Sequence, residues 1–302
     1  MFSIKRIVAA TDMSPFAARA EERAARLVHE LESESLHLLH VVDNLPLEAL
    51  RHLDQPPLDT EYHLIESSRK QLAEIEHKLS AKYKGKVITT TLNVGRPHTE
   101  IVRYAKLLNA ELIVMGVHGS FTRKLVGSTV DKVLRQSVTP LLLVKEVPRG
   151  PYQRILVPVD FSDSSRRAIE MAVSIAPHAT VTVLHAFEAP LVGKMHLYGV
   201  GDETIEAYRA QVRAERISKM QQLIVEAHLK GSSWSQLVEL GDAPDVILKQ
   251  AGVLESDLII IGRHGQSPWE DMLVGSVTQQ VIEESTCDVL IIEHNTSKPP
   301  DE

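Results

Sequence analysis

Hydrophobic and polar positions along the chain follow two alternating periods. In the second half, short β-branched and aliphatic runs, "RILVPV", "TVTVLHA", "WSQLVEL", "DLIII" and "DVLII", are bounded by turn residues and predict strands. Between them, "SSRRAIEMAVSIA", "ETIEAYRAQVRAERISKMQQLIVEAH", "PDVILKQAGVL" and "VTQQVIEES" place apolar residues three and four apart and predict helices with one buried face. The first half follows the same plan. Strands alternating with helices predict a parallel sheet covered on both faces, because each helix returns the chain to the start of the next strand. Asp163 is placed to cap the helix that opens with "SSRRA", and Pro97 and Pro244 fall where a first helical turn tolerates proline.

The pattern is written twice. "KRIVAATDMS" from Lys5 reappears as "QRILVPVDFS" from Gln153, and "LHLLHVVD" from Leu36 as "VTVLHAFE" from Val181. "NVGRPHTEIVRYAKLLNAELIVMGVHG" from Asn93 matches "ELGDAPDVILKQAGVLESDLIIIGRHG" from Glu239, and "LVGSTVDKVLRQSVTPLLLV" from Leu125 matches "LVGSVTQQVIEESTCDVLII" from Leu273. The order is kept and the offset is the size of a domain, so one domain has been duplicated. Two domains are expected, at 1–149 and 150–302, joined through "EVPRGPY". Each is read as a doubly wound α/β, Rossmann-like fold with a mostly parallel five-stranded sheet.

Composition narrows the function. The chain of 302 residues is 43% hydrophobic and 24% charged, ordinary for a globular protein, and only 4% aromatic, which argues against base-stacking platforms. A formal net charge of −7 without a long Lys/Arg cluster argues against a nucleic-acid partner. Cys287 is the single cysteine, so no disulfide forms within the chain, which fits a reducing cytoplasm; a small buried core residue is its plain reading. "MFSIKRIVAATD" is too short in apolar residues for a signal-peptide core, and no run approaches a membrane span. A cytoplasmic protein without membrane contact is expected. The 14 histidines raise the question of a metal site. No pair with metal-ligand spacing sits on a predicted helix, His37 and His40 lie on a strand facing opposite sides, and no metal is expected. His40 and His185 recur at the end of strand 2 in both copies and read as hydrogen-bonded structural residues.

The candidate chemistry lies in "GRHGQSPWEDMLVGS", Gly262 to Ser276, after the apolar run "DLIIIG". In an open parallel sheet the ligand crevice lies beyond the carboxyl ends of the strands, where strand order reverses. This loop and "PVDFSDSS" after strand 1 would occupy that edge. Gly275 and Ser276 open a helix whose unpaired N–H groups and positive dipole end suit an anion. Neither G-x-x-x-x-G-K-[ST] nor G-x-G-x-x-G after a strand is present. The loop instead resembles that of the universal stress protein family, whose nucleotide-binding members carry G-x2-G-x9-G-[ST] after strand 4; Gly262, Gly265, Gly275 and Ser276 fit that spacing. With "PVDFS" and "LHA", and a weaker form in the first half, nearly the whole chain resembles a tandem universal stress protein of the UspE-like type.

The resemblance implies a fold like that of the adenine nucleotide alpha hydrolases, with the two domains packed about a pseudo-twofold axis through "PLLLV" and "DVLII" as an intramolecular counterpart of the usual dimer. Association of two chains into a homodimer is also compatible with it. It implies that Pro158, Val159 and Asp160, with Ala186 after His185, hold adenine and ribose, and that Gly262, Gly265, Gly275, Ser276 and Val277 hold phosphates, with Arg263 and His264 in the same loop. Asp160 can accept from hydroxyls or an amine, and bare backbone N–H groups receive anionic oxygens. The first half departs from the pattern. Only "SFTRKLV" separates Gly119 from Gly127, so Asp12, Gly116, Gly119, Gly127 and Ser128 are equivalent positions in a degenerate loop, where Arg123 and Lys124 could meet an anion by another route.

ATP is therefore expected in the C-terminal domain alone. Glu270 and Asp271 lie inside its loop and would repel a triphosphate unless they point to solvent or share Mg²⁺ with it. The expected activity is that of a ligand-sensing stress-response protein whose adenine-nucleotide occupancy alters contacts with other proteins. No catalytic residue is assigned, because Ser276 and His264 lack a third orienting group and no G-x-S-x-G elbow exists. Two alternatives stay open: slow ATP hydrolysis, and binding of a different, partly apolar metabolite with the nucleotide loop vestigial. "NLPLEALRHLDQPPLDTEYHL" and "EAPLVGKMHLYGVGDETIEAY" before strand 3 could cover the crevice edge as a lid or a second pocket.

Overall fold

The computed structural model describes residues 3–44, 60–117, 128–227, 233–265 and 274–293. The chain divides into two compact units, one comprising Ser3–Pro151 with Thr286–Leu290, the other centred on Tyr152–Ser285. In the first half the order is β1 (Arg6–Thr11), α1 (Pro15–Glu30), β2 (Ser35–Asp43), α2 (Thr60–Lys82), β3 (Val87–Gly95), α3 (Pro97–Leu107), β4 (Leu112–Gly116), α4 (Ser128–Gln136) and β5 (Leu141–Val144). The second half runs β6 (Arg154–Pro158), α5 (Asp163–Ile175), β7 (Thr180–Phe187), α6 (Val192–Leu197), α7 (Asp202–Glu226), β8 (Trp234–Leu240), α8 (Ala243–Val253), β9 (Leu258–Gly262), α9 (Ser276–Glu284) and β10 (Asp288–Ile292).

Strand order explains where a ligand can sit. In the first half it is β3-β2-β1-β4-β5, and in the second β10-β9-β6-β7-β8. The recorded pairings are parallel, with Ile7 beside Leu36 and Leu112, and Ile155 beside Val181 and Leu258. The order reverses between β1 and β4 and again between β6 and β9, and at such a switch the loops diverge and leave a crevice. Burial follows the same plan. The central strands β4 and β9 are buried along nearly their whole length, whereas β3 and β8 are largely part-exposed. Covered on both faces, a central parallel strand must be apolar at every position rather than at alternate ones.

Repeated contacts fix both sheets at their lower edge. The Glu111 carboxylate accepts from the amides of Lys5 and Arg6 (3.2 and 2.8 Å), and that of Asp257 from Gln153 and Arg154 (2.8 and 3.1 Å). Each binds the start of its half's first strand to the start of the fourth. Pro97 and Pro244 lie in first helical turns as expected. The cap of α5 does not follow expectation: Ser162 is the N-cap, its hydroxyl accepting from the Ser165 amide at 3.2 Å, and Asp163 is the first helical residue. Among the described residues no helix is long and apolar enough to cross a membrane.

Candidate functional site

At the β6/β9 switch a cavity of about 240 Å³ opens at the carboxyl ends of the strands. Of the predicted site residues, Pro158, Val159, Asp160, Ala186, Gly262, His264, Gly265, Gly275, Ser276 and Val277 line it. Pro158, Val159 and Asp160 arrive from the end of β6, Ala186 from β7, and the remainder from the end of β9 and the start of α9. Residues 266–273, including Glu270 and Asp271, lie outside the described residues, as do Gly119, Arg123, Lys124 and Gly127 of the first half and 45–59 of the first insert.

Asp160 is held by its own loop. Its Oδ1 accepts from the Ser162 amide (3.1 Å) and from the hydroxyls of Ser162 and Ser165 (2.6 Å each), while its amide donates to Ser165 Oγ at 2.9 Å. Oδ2 lies 3.0 Å from where a Cβ on Gly265 would stand. The carboxylate is thus pinned through one oxygen, and its other oxygen faces the glycine loop. Phe161 takes a left-handed φ of 67°, a conformation uncommon outside glycine, and packs against His185 with ring centroids 4.3 Å apart and the rings tilted by 44°. His185 Nδ1 lies 2.8 Å from the Val159 carbonyl. A carbonyl only accepts, so Nδ1 carries the proton. Burial holds the ring below the ordinary histidine pKa, with the Val159 carbonyl opposing that shift. His185 is therefore neutral at neutral pH and shapes the β6 loop. His40 repeats the bond, 2.8 Å from the Thr11 carbonyl.

The start of α9 is suited to an anion. Among the described residues no side chain caps α9 at its N-cap Gly275, and Ser276, Val277 and Thr278 of its first turn line the cavity. Uncapped first-turn N–H groups and the helix dipole favour a negative group there. Thr278 Oγ1 donates to the Gly262 carbonyl at 2.7 Å, and the Gly275 amide donates to the Arg263 carbonyl at 3.0 Å, tying the two ends of the loop together. Between these walls Leu184, Ile247 and Ile261 make the floor apolar.

Arg263 is the predicted residue that does not line the cavity. It is 7% exposed, and its Nε lies 2.5 Å from Glu293 Oε2 and donates to His264 Nε2 at 2.7 Å. A buried guanidinium needs a carboxylate, and Glu293 just past β10 supplies it. His264, which does line the cavity, therefore rests on an internal ion pair. Ser162, Ser165, Thr278 and Glu293 were not read as site residues. The run "SDSS" after "PVDF" carries a signal for the first two, since serines two and five residues beyond an aspartate can fold back onto it. Nothing local pairs Glu293 with Arg263. No residue of the second insert lines the cavity, and α6 buries none of its side chains, with Leu197 and Tyr198 exposed. Among the described residues no cluster of histidine, cysteine, aspartate or glutamate could hold a metal ion.

The family model described as "Universal stress protein family" matches twice, over residues 3–145 and 151–293. The chain belongs to the universal stress protein family. Universal stress protein YxiE of Bacillus subtilis is 30% identical over 146 residues, which cover 99% of that protein but 47% of this chain, the relation expected of a single-domain relative. Universal stress protein Rv2623 of Mycobacterium tuberculosis is 26% identical over 223 residues, spanning 67% of this chain and 70% of that protein. A solved universal stress protein from Archaeoglobus fulgidus superposes with a TM-score of 0.69 at 23% identity, covering 97% of this chain and 99% of its own; this likeness is one of fold. The mostly parallel α/β architecture expected from the sequence is thus the family's architecture, present twice.

Proposed function

We propose that this universal stress protein binds an adenine nucleotide in the cavity of its C-terminal half and acts as a ligand sensor, occupancy changing how its surface meets other proteins. One observation carries the reading: Asp160, the glycines of the loop, the start of α9 and an apolar floor line one cavity. A nucleotide has the matching order of groups, with hydroxyls and an exocyclic amine to donate to a carboxylate, a flat ring for the floor, and phosphates for the helix end. Mg²⁺ would come with the triphosphate and share its oxygens rather than occupy a protein cage.

Titration calorimetry with ATP, with and without Mg²⁺, tests this on the intact protein and on Gly265→Val combined with Gly275→Val. A side chain at Gly265 meets Asp160 Oδ2 at 3.0 Å and one at Gly275 meets the Arg263 carbonyl at 3.2 Å, so the pair reshapes the glycine-lined part of the cavity. Wild type is expected to bind a single nucleotide per chain and the variant none, with the circular dichroism spectrum unchanged. Equal binding by both proteins would remove the loop from the account.

A further inference from the structure

At the start of β2, away from the crevice at the carboxyl ends of the strands, His37 sits between two hydroxyls. Parallel register sets Thr89 of β3 beside His37 and Arg6 of β1 beside Ser35. Residues two apart on a strand share a face, so Ser35 and His37 point the same way. Ser35 Oγ lies 2.9 Å from His37 Nε2, and Thr89 Oγ1 lies 2.9 Å from His37 Nδ1. Tyr104 of α3 meets the ring edge-on with centroids 6.2 Å apart, its own hydroxyl held 2.8 Å from Thr91 Oγ1.

The order of protons follows from Thr89. Its hydroxyl also makes a long bond, 3.5 Å, to the Leu36 carbonyl, which can only accept. With its single proton given to that carbonyl, Thr89 Oγ1 accepts the Nδ1 proton, Nε2 is left bare, and Ser35 donates to it. Burial and then the Arg6 guanidinium hold the ring below the ordinary histidine pKa, so it is neutral at neutral pH. Arg6 is itself paired with Glu111 at 2.9 Å. A neutral imidazole that accepts from a serine hydroxyl, with its other nitrogen held by a third group, is the arrangement that makes a serine nucleophilic. Ser35 and His37 are part-buried and Thr89 is exposed, so a small reagent can reach the hydroxyl. The second half builds the same strands differently. Thr180, Thr182 and Ser235 stand at the matching positions, and Thr182 pairs with Ser235 at 3.1 Å. Sheet packing therefore does not require a histidine there.

We infer that Ser35 is a covalent modification site, a nucleophile that takes an acyl group from an activated ester, with His37 as its base and Thr89 positioning the ring. Ser35 Oγ forms a bond to the acyl carbon as the bond from that carbon to the leaving oxygen breaks. The serine proton passes to His37 Nε2 and from there to the departing alcohol. The Ser35 amide already donates to the Lys5 carbonyl at 3.1 Å, so it does not serve as a donor to an oxyanion. Transfer is accordingly slow, and the ester stays on Ser35 rather than turning over. The site does not rest on the nucleotide reading of the second half.

The intact chain would be incubated with p-nitrophenyl acetate and its peptides read by mass spectrometry before and after hydroxylamine, which removes acetyl from serine esters and leaves lysine amides. Acetyl is expected on Ser35, at a rate flat from the ordinary histidine value of 6.5 to neutrality and falling at lower pH as His37 takes a proton. His37→Thr, which installs the residue of the second half, should slow the reaction about a hundredfold and remove that fall, with the circular dichroism spectrum unchanged. Thr89→Val should slow it part-way, and Thr89→Ser, which keeps the acceptor oxygen, should restore it. No ester at Ser35, or equal rates in wild type and His37→Thr, would overturn the inference.

Discussion

At the scale of single residues, the two halves separate chemically where they agree geometrically. Thr11 and Glu21 of the first half stand where Val159 and Ile169 stand in the second. Thr11 Oγ1 donates to Glu21 Oε1 at 2.5 Å in the core, and Glu21 is only 5% exposed. Burial raises the Glu21 pKa above its ordinary 4.5, while Thr11 and Lys78 oppose that shift. The folded state therefore keeps a proton that the unfolded chain has released, so stability falls as pH rises from 4.5 through the raised value. Glu21→Gln keeps an oxygen for Thr11 and removes the titration. Its denaturant midpoint relative to wild type should climb between pH 4.5 and neutrality. A difference that stays flat with pH would contradict this assignment of Glu21. At a further pair of matching positions, Arg263 and Glu293 form an ion pair in the second half, whereas the first carries Val117 and Lys145. Burial pushes Lys145 down to about 8.

At the scale of elements, close packing rather than ligand binding accounts for one glycine of each loop. At the end of β4, a Cβ on Gly116 would lie 2.2 Å from the Phe16 carbonyl oxygen and 2.5 Å from its carbon, and at the end of β9 one on Gly262 would lie 2.8 Å from Ser164 Cβ. Helices α1 and α5 rest that closely on their sheets. Gly116→Ala must displace backbone, so it should destabilise the protein by about 3 kcal/mol, read from the denaturation midpoint. Gly150→Ala, with open space around it, is the control expected to change little. Equal midpoints for the two would show that the α1/β4 contact is looser than described. The glycine pattern thus has two sources, and only Gly265 and Gly275 remain as evidence of a loop shaped around something else. Most elements were legible from their apolar patterns: β8 and β10 fall on the residues their runs predict, and α5, α7, α8 and α9 within a residue or two. Helix α6 left no signature because it buries no side chain, and a helix with no buried face has no period. The cap moved from Asp163 to Ser162 because either oxygen satisfies the sequence rule and only the folded turn, with Asp160 already holding Ser162, decides between them. For the candidate site, Asp160 and the start of α9 were readable from order and spacing. The inward turn of Arg263 was not, since its partner Glu293 lies thirty residues along the chain.

At the scale of the whole molecule, duplication has kept the architecture and let the chemistry diverge. Both halves place a crevice at the same topological switch, with an aspartate after the first strand and a histidine holding the carbonyl before that aspartate. They differ in what surrounds it: His264 and three glycines in one, Phe16 and Met115 in the other. The adenine nucleotide is proposed for the second of these cavities. Photolabelling the intact protein with an azidoadenine nucleotide, followed by mass spectrometry of the peptides, locates the base directly. The account predicts modification within the segments carrying Pro158 to Asp160 or Ala186, suppressed by excess ATP. Label confined to the segments around Asp12 and Val41, or an ATP-insensitive scatter over the surface, would contradict it.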